Sequence, residues 1–198
     1  MPRISRSIGQ RGWRAADGQS IVEFAICLPV LLLLSLGVVE TSNALMSQHV
    51  ITKIAREGSN MISRETKLAA TATAIRTMDA NSGSFDSTTK VIFSVLMRSQ
   101  SGNNNGFLVL YQRMEFGNLS LGASQLNGSG TFNSANDYAA NNPNGDTALR
   151  VTNAPSGIAA DPGGMIYVTE VYRQYNTLTP VRNIGVPIPS LLYSIAYF

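Results

Sequence analysis

The sequence predicts an α+β fold: a long N-terminal helix, half of it suited to a membrane and half amphipathic, then a second helix and a small antiparallel β-sheet. Three observations carry this. An uncharged apolar run extends from Phe24 to Val39, apolar residues then recur at helical spacing as far as Met61, and three later runs read as strands. The chain has 198 residues, 14% of them charged and 44% hydrophobic. That is too apolar for a disordered tail, and long enough for one domain with an appendage. A lone Cys27 forms no intramolecular disulfide, and with the lone His49 it cannot supply four zinc ligands.

The formal charge of +3 sits at one end. Arg3, Arg6, Arg11 and Arg14 against Asp17 account for all of it, leaving the remainder with 11 basic and 11 acidic side chains. Such an arm suits a nucleic-acid tail, the n-region of a signal peptide, or the cytoplasmic flank of a membrane helix. The adjoining apolar segment decides among them. Ser20 to Val39 rises about 30 Å at 1.5 Å per residue, the hydrocarbon thickness of a bilayer. The arm is then the positive-inside flank that keeps residues 1–18 cytoplasmic, and nucleic-acid binding loses its support. Glu23 lies near the cytoplasmic end of the run. It either snorkels to the interface or waits for a positive partner in the membrane.

Gly18-Gln19-Ser20-Ile21-Val22-Glu23-Phe24, a glycine, four residues, then Glu and an aromatic ahead of an apolar run with an early Pro29, resembles the processing site of type IV prepilins of the Flp/Tad class. Extended to Gly58, with Leu28-Pro29, Leu31–Leu34, Glu40 and Ala55-Arg56-Glu57-Gly58 in register, the segment closely resembles the TadE/TadG-like family of tight-adherence pilus proteins. The resemblance covers about a fifth of the chain. It implies a pilin-like fold; the residues themselves point to no enzymatic activity and no cofactor. It also implies cleavage after Gly18 by a prepilin peptidase, with Gln19 as the new amino terminus. Glu23, with Phe24 and Pro29 beyond it, becomes an assembly residue that pairs with the terminal amine of a neighbouring subunit. The implied partners are other minor pilins, the major pilin and an inner-membrane assembly platform. The implied location is the bacterial inner membrane, crossed once, with the C-terminal part in the periplasm. The domain boundaries expected are a leader at 1–18, a membrane and assembly helix at 19–40, and an extracytoplasmic α+β domain at 41–198. A competing cut, after the small residues Ser42-Asn43-Ala44, would leave Leu45 first and the protein fully secreted.

Beyond Val39 the pattern becomes amphipathic. Met46, Val50, Ile54, Gly58 and Met61, with Ile51, Ala55 and Ile62 alongside, form one stripe, and Gln48, Lys53, Arg56, Glu57, Asn60 and Arg64 lie opposite. The spacing predicts a single rod of about forty-five residues whose stripe is core. Cross-links placed near Ile51 or Ile54 are expected to report contacts with other pilin-like helices. Residues 65–79 favour a second helix with Leu68, Ala72, Ile75 and Met78 on one face, ended by Asn81-Ser82-Gly83-Ser84.

Val91, Phe93, Val95 and Met97 alternate in a first strand. Leu108, Leu110, Met114 and Phe116 are expected on one face of a second, and Ser99–Gly106 joins the two as a hairpin. The third strand runs from Met165 to Tyr175, with Ile166, Val168 and Tyr172 together. Residues 117–164 are rich in Asn, Ser, Gly and Ala, with scattered anchors at Leu119, Leu121, Phe132, Leu149 and Val151. They read as a weakly ordered insertion or as an exposed binding loop. Leu191–Phe198 is too short to span a membrane and is expected to form an edge strand or to meet another subunit.

No catalytic constellation is legible. A Ser-His-Asp or Cys-His site would have to use His49 on the rod, and Cys27 in the apolar run suits an inert small hydrophobe. Asp137, Asp146 and Asp161 lack EF-hand spacing, and no phosphate-binding glycine loop occurs. The sequons at Asn118 and Asn127 recur by chance in such composition. Two functional classes remain: a minor pilin or pseudopilin, and a single-pass membrane-anchored binding protein that stays out of the filament.

Overall fold

Helix α1 runs unbroken from Ala16 to Ser63 in the computed structural model, which describes residues 16–79, 85, 87–155, 157–180 and 187–198. The four leader arginines and the Asn81–Ser84 stop lie outside the described residues. By contacts the chain forms two compact units, Met1–Ser42 with Thr177–Val186, and Asn43–Asn176 with Pro187–Phe198.

In the second unit, α1 ends where Glu65 enters the left-handed region at φ 63°, the backbone turn that commonly closes a helix. This shortens the expected second helix to α2, Leu68–Met78. Lys67 at its N-cap supplies no side-chain bond, and the free Leu68 N–H instead donates to Asp137 Oδ1 at 3.0 Å, a cap brought in from a distant segment. Leu68, Ala72 and Ile75 are buried as expected, whereas Met78 at the helix end is 45% exposed.

Next in the chain comes a six-stranded antiparallel sheet: β1 Thr89–Arg98, β2 Leu108–Phe116, β3 Phe132–Asn133, β4 Ala139–Ala140, β5 Met165–Gln174 and β6 Leu191–Tyr197, in the order β3-β4-β2-β1-β5-β6. β1 is central and buried on both faces, which explains its nearly continuous apolar run from Val91 to Leu96. Its odd-numbered residues Val91 and Phe93, with Met114 and Val171, pack against Ile51, Ile54, Ala55 and Ile62 of α1 and Leu68, Ala72 and Ile75 of α2. The stripe of α1 is therefore core, with a changed membership: Met46 is 69% exposed, and Ser59 is buried in line with Ile51, Ala55 and Ile62.

The four apolar residues expected on one face of β2 divide between two. Val95 pairs with Gln112 but Leu96 pairs with Leu110, so a bulge leaves Tyr111 between them and moves every later side chain to the other face. Met114 thus joins the helical core, while Leu110 joins Leu96, Ile166 and Val168 on the opposite side.

That opposite side is covered by residues 117–164, which pack on the sheet rather than forming a weakly ordered insertion. Leu126, Leu149 and Val151 are buried against Leu96 and Leu110, and Leu119 against Ile92 and Tyr172; the anchor expected at Leu121 is instead exposed. Gly122 permits the approach, since a Cβ there would lie 2.5 Å from the Tyr172 ring. Polar side chains hold what the apolar anchors leave. Fully buried Glu170 accepts from Ser124 Oγ at 2.5 Å, from the Gln125 N–H at 2.7 Å and from Tyr193 OH at 3.1 Å. Arg113 donates to Ser94 Oγ at 3.1 Å, the Gly128 carbonyl at 2.9 Å and the same Ser124 Oγ at 2.9 Å. A buried carboxylate and a half-buried guanidinium are thereby linked through one serine, and each also reaches the backbone of the covering loop, at Gln125 and at Gly128. Burial, reinforced by the Glu170 charge, raises the pKa of the Tyr193, Tyr172 and Tyr197 phenols. Burial lowers that of Arg113, against the pull of Glu170 and Glu115.

Candidate functional site

The first part of α1 differs from the rest of the chain. Its 18-residue apolar window has a mean hydropathy of 2.5 and none of it is buried, so this helix is long and apolar enough to cross a membrane. Ile21, Val22, Phe24, Ile26 and the leucines from Leu31 to Leu34 are all exposed. A contiguous exposed apolar surface of this size marks a contact with lipid or with another protein. The few polar groups in it are turned inward: Ser35 Oγ donates to the Leu31 carbonyl at 2.8 Å, and Thr41 Oγ1 donates to the Gly37 carbonyl. Such back-bonding satisfies hydroxyls where no water is available. Pro29 lies inside the helix and supplies no N–H, so the Ala25 carbonyl lacks its usual donor four residues on.

The residues singled out by sequence gather at the start of this segment. Gly18 and Gln19 lie in the first turn of α1, exposed, with open space around the position a Gly18 Cβ would take. First-turn N–H groups lack helical acceptors, so the 18–19 peptide bond can leave the helix at small cost. Gln19 Nε2 donates to Glu23 Oε1 at 3.0 Å, one turn along the same face. Phe24 is exposed beside it. Cys27 and His49 are also exposed, and the described residues contain no group of three His, Cys, Asp or Glu able to hold a metal.

Ile51 and Ile54 are buried beneath their own sheet, so they are unavailable to a neighbouring helix, and cross-links must start from exposed positions such as Ile26 or Val38. In the second unit, a cavity of about 320 Å³ lined by Val50, Ile54 and Met78 is at the lower edge of volumes that hold small ligands. The Arg173 and Asp79 side chains in its wall are paired with each other.

Two relationships were not legible as contacts. Glu40, only 3% exposed, accepts from the Thr179 N–H at 2.9 Å and from Thr179 Oγ1 at 2.7 Å. The two residues are 139 positions apart, and nothing in their sequence spacing joins them. Gly58 is the second. A Cβ there would lie 2.8 Å from both Cγ2 and Oγ1 of Thr169 and 3.0 Å from Ile75 Cδ1, so the glycine sets how closely α1 approaches β5.

Comparison with known proteins bears on the same stretch. The family model described as TadE-like protein matches residues 18–60, which takes in Gly18, Gln19, Glu23, Phe24, Pro29, Glu40 and Gly58. No curated protein and no solved structure matches the chain. The family match associates this segment with the tight-adherence pilus system, through a family that is structural rather than enzymatic.

Proposed function

We propose that the chain is a minor pilin or pseudopilin of a tight-adherence type IV pilus, supporting its initiation, priming or tip, and through it surface adhesion. The basic arm stays in the cytoplasm, the apolar part of α1 lies in the inner membrane, and the Asn43–Asn176 unit lies in the periplasm. A prepilin peptidase cuts after Gly18. The apolar helix then passes from lipid to a bundle of minor and major pilin helices at the inner-membrane assembly platform. The observation that supports this reading most is the apolar window of α1 inside the TadE-like match, none of it buried, with a carboxylate held one turn from the cut.

Cleavage creates an α-amine at Gln19. In lipid, a carboxylate and an ammonium of neighbouring subunits attract strongly only when desolvated and adjacent, so pairing with Glu23 selects a docked register. Glu23→Ala is expected to insert and to be processed to Gln19, yet to leave cells without pili. Normal piliation by that variant would defeat the docking role. Cross-links from Ile26 or Val38 that never capture another pilin-like helix in assembling cells would favour a membrane-anchored binding protein instead.

A further inference from the structure

We infer that Thr177–Pro180 is a second membrane contact, seated at the outer interface of the bilayer with Leu178 among the lipid. The inference rests on the membrane reading of α1 and goes beyond it by assigning a lipid-binding role to a segment far away in sequence. If Ser20 marks the inner boundary of the hydrocarbon, the rise to Val39 of about 30 Å puts Glu40 at the outer one. Glu40 binds both the N–H and the hydroxyl of Thr179, which fixes the level of Thr177–Pro180 at that boundary. These residues belong to the same compact unit as the apolar helix.

The chemistry of the turn fits this level. Thr177, Leu178, Thr179 and Pro180 carry no charge, and Leu178 is 69% exposed. A lone exposed leucine is ordinary on a protein surface. This one precedes Thr179, whose bonds to Glu40 tie the segment to the helix just beyond Val38 and Val39, themselves exposed. The contact also serves Glu40: a carboxylate at the edge of hydrocarbon loses water, and Thr179 supplies two of the donors that stand in for it.

The test uses the full chain with Cys27→Ser, reconstituted in phosphatidylcholine vesicles and carrying an environment-sensitive fluorophore at Leu178→Cys, at Val30→Cys as a depth reference, or at Leu121→Cys as an aqueous reference. The Leu178 probe should emit to the blue of the Leu121 probe. It should be quenched at least twofold more by lipids carrying the quencher near the headgroup than by lipids carrying it near the chain end, with the order reversed at Val30. Adding Glu40→Ala should return the Leu178 probe to aqueous emission. Emission matching Leu121 while Val30 reports lipid would overturn the inference and leave the membrane reading intact. Aqueous emission at Val30 would sink both. A blue shift that no lipid quencher touches, and that fades as protein is diluted in lipid, would assign the turn to a neighbouring subunit and overturn the lipid contact.

Discussion

Adding one methyl group at Gly58 is expected to destabilise the protein even though it improves the helix. In an unobstructed helix, glycine to alanine gains about 1 kcal/mol. Here the new Cβ would meet Thr169 Cγ2 and Oγ1 at 2.8 Å and Ile75 Cδ1 at 3.0 Å. Thr169 cannot easily yield, because it is β-branched, fully buried, and on a strand paired on both sides by β1 and β6. Overpacking of this kind costs about 1–3 kcal/mol, and the contacts here, below any ordinary carbon separation, belong at the upper end. The expected net loss is about 1–2 kcal/mol. The assay is chemical unfolding of the full chain in mild detergent, followed by near-ultraviolet circular dichroism of the buried tyrosines. Thr169→Ala removes the two closest of the three clashing atoms and leaves Ile75 Cδ1, so the double variant should lose less than the two singles together, by about 1 kcal/mol. Gly58→Ala at or above wild-type stability, or strict additivity with Thr169→Ala, would refute the reasoning.

Glu170→Ala takes the nearby countercharge from half-buried Arg113 and the acceptor from Ser124, the Gln125 N–H and Tyr193, and should cost about 2–4 kcal/mol, read by the same unfolding assay. Amide exchange across residues 117–130 should rise in that variant more than in α2, and unchanged protection there would separate the loop from the network. The tyrosines set an alkaline limit. The phenols of Tyr193, Tyr172 and Tyr197 have folded-state pKa values raised above their unfolded ones. Their contribution is thus whole below the ordinary tyrosine value of about 10 and is lost as pH rises from there through the folded-state values. Unfolding measured from about pH 8 to 12 should show stability falling only above about 10, and less steeply in Tyr193→Phe.

Elements whose evidence is local were legible in the sequence. The apolar run and the stripe from Ile51 to Ile62 announce α1 because each residue repeats a simple period, and Leu191–Tyr197 reads as the edge strand it is. Periodicity misplaces Met46 because spacing alone does not say where one face of a helix meets a sheet. The bulge at Tyr111 is hidden because Leu108, Leu110, Met114 and Phe116 alternate correctly until an extra residue intervenes. The ordering of residues 117–164 is invisible for a different reason. Its determinants, Arg113 and Glu170, lie on strands outside the segment, where they look like ordinary surface charges. Among the candidate site residues, Gly18, Gln19 and Glu23 form one short helical motif that sequence displays directly. The Glu40–Thr179 pair depends on how the chain returns to that helix, which no local pattern records.

The position of β1 at the centre of the sheet has a consequence for how the protein acquires its structure. One partner, β2, is supplied by an adjacent hairpin, but the other, β5, arrives only after the whole of residues 117–164, with Thr89 meeting Arg173 and Met97 meeting Met165. Closing so long a loop is slow, and until it closes one edge of β1 stays open with Ile92, Ser94 and Leu96 uncovered. A chain emerging N-terminus first therefore passes through a stage with a bare, apolar strand edge, the kind of surface that invites aggregation or a chaperone. Arg113 and Ser94 also wait at that stage, and the late arrival of Glu170 completes the charge network that locks the covering loop in place.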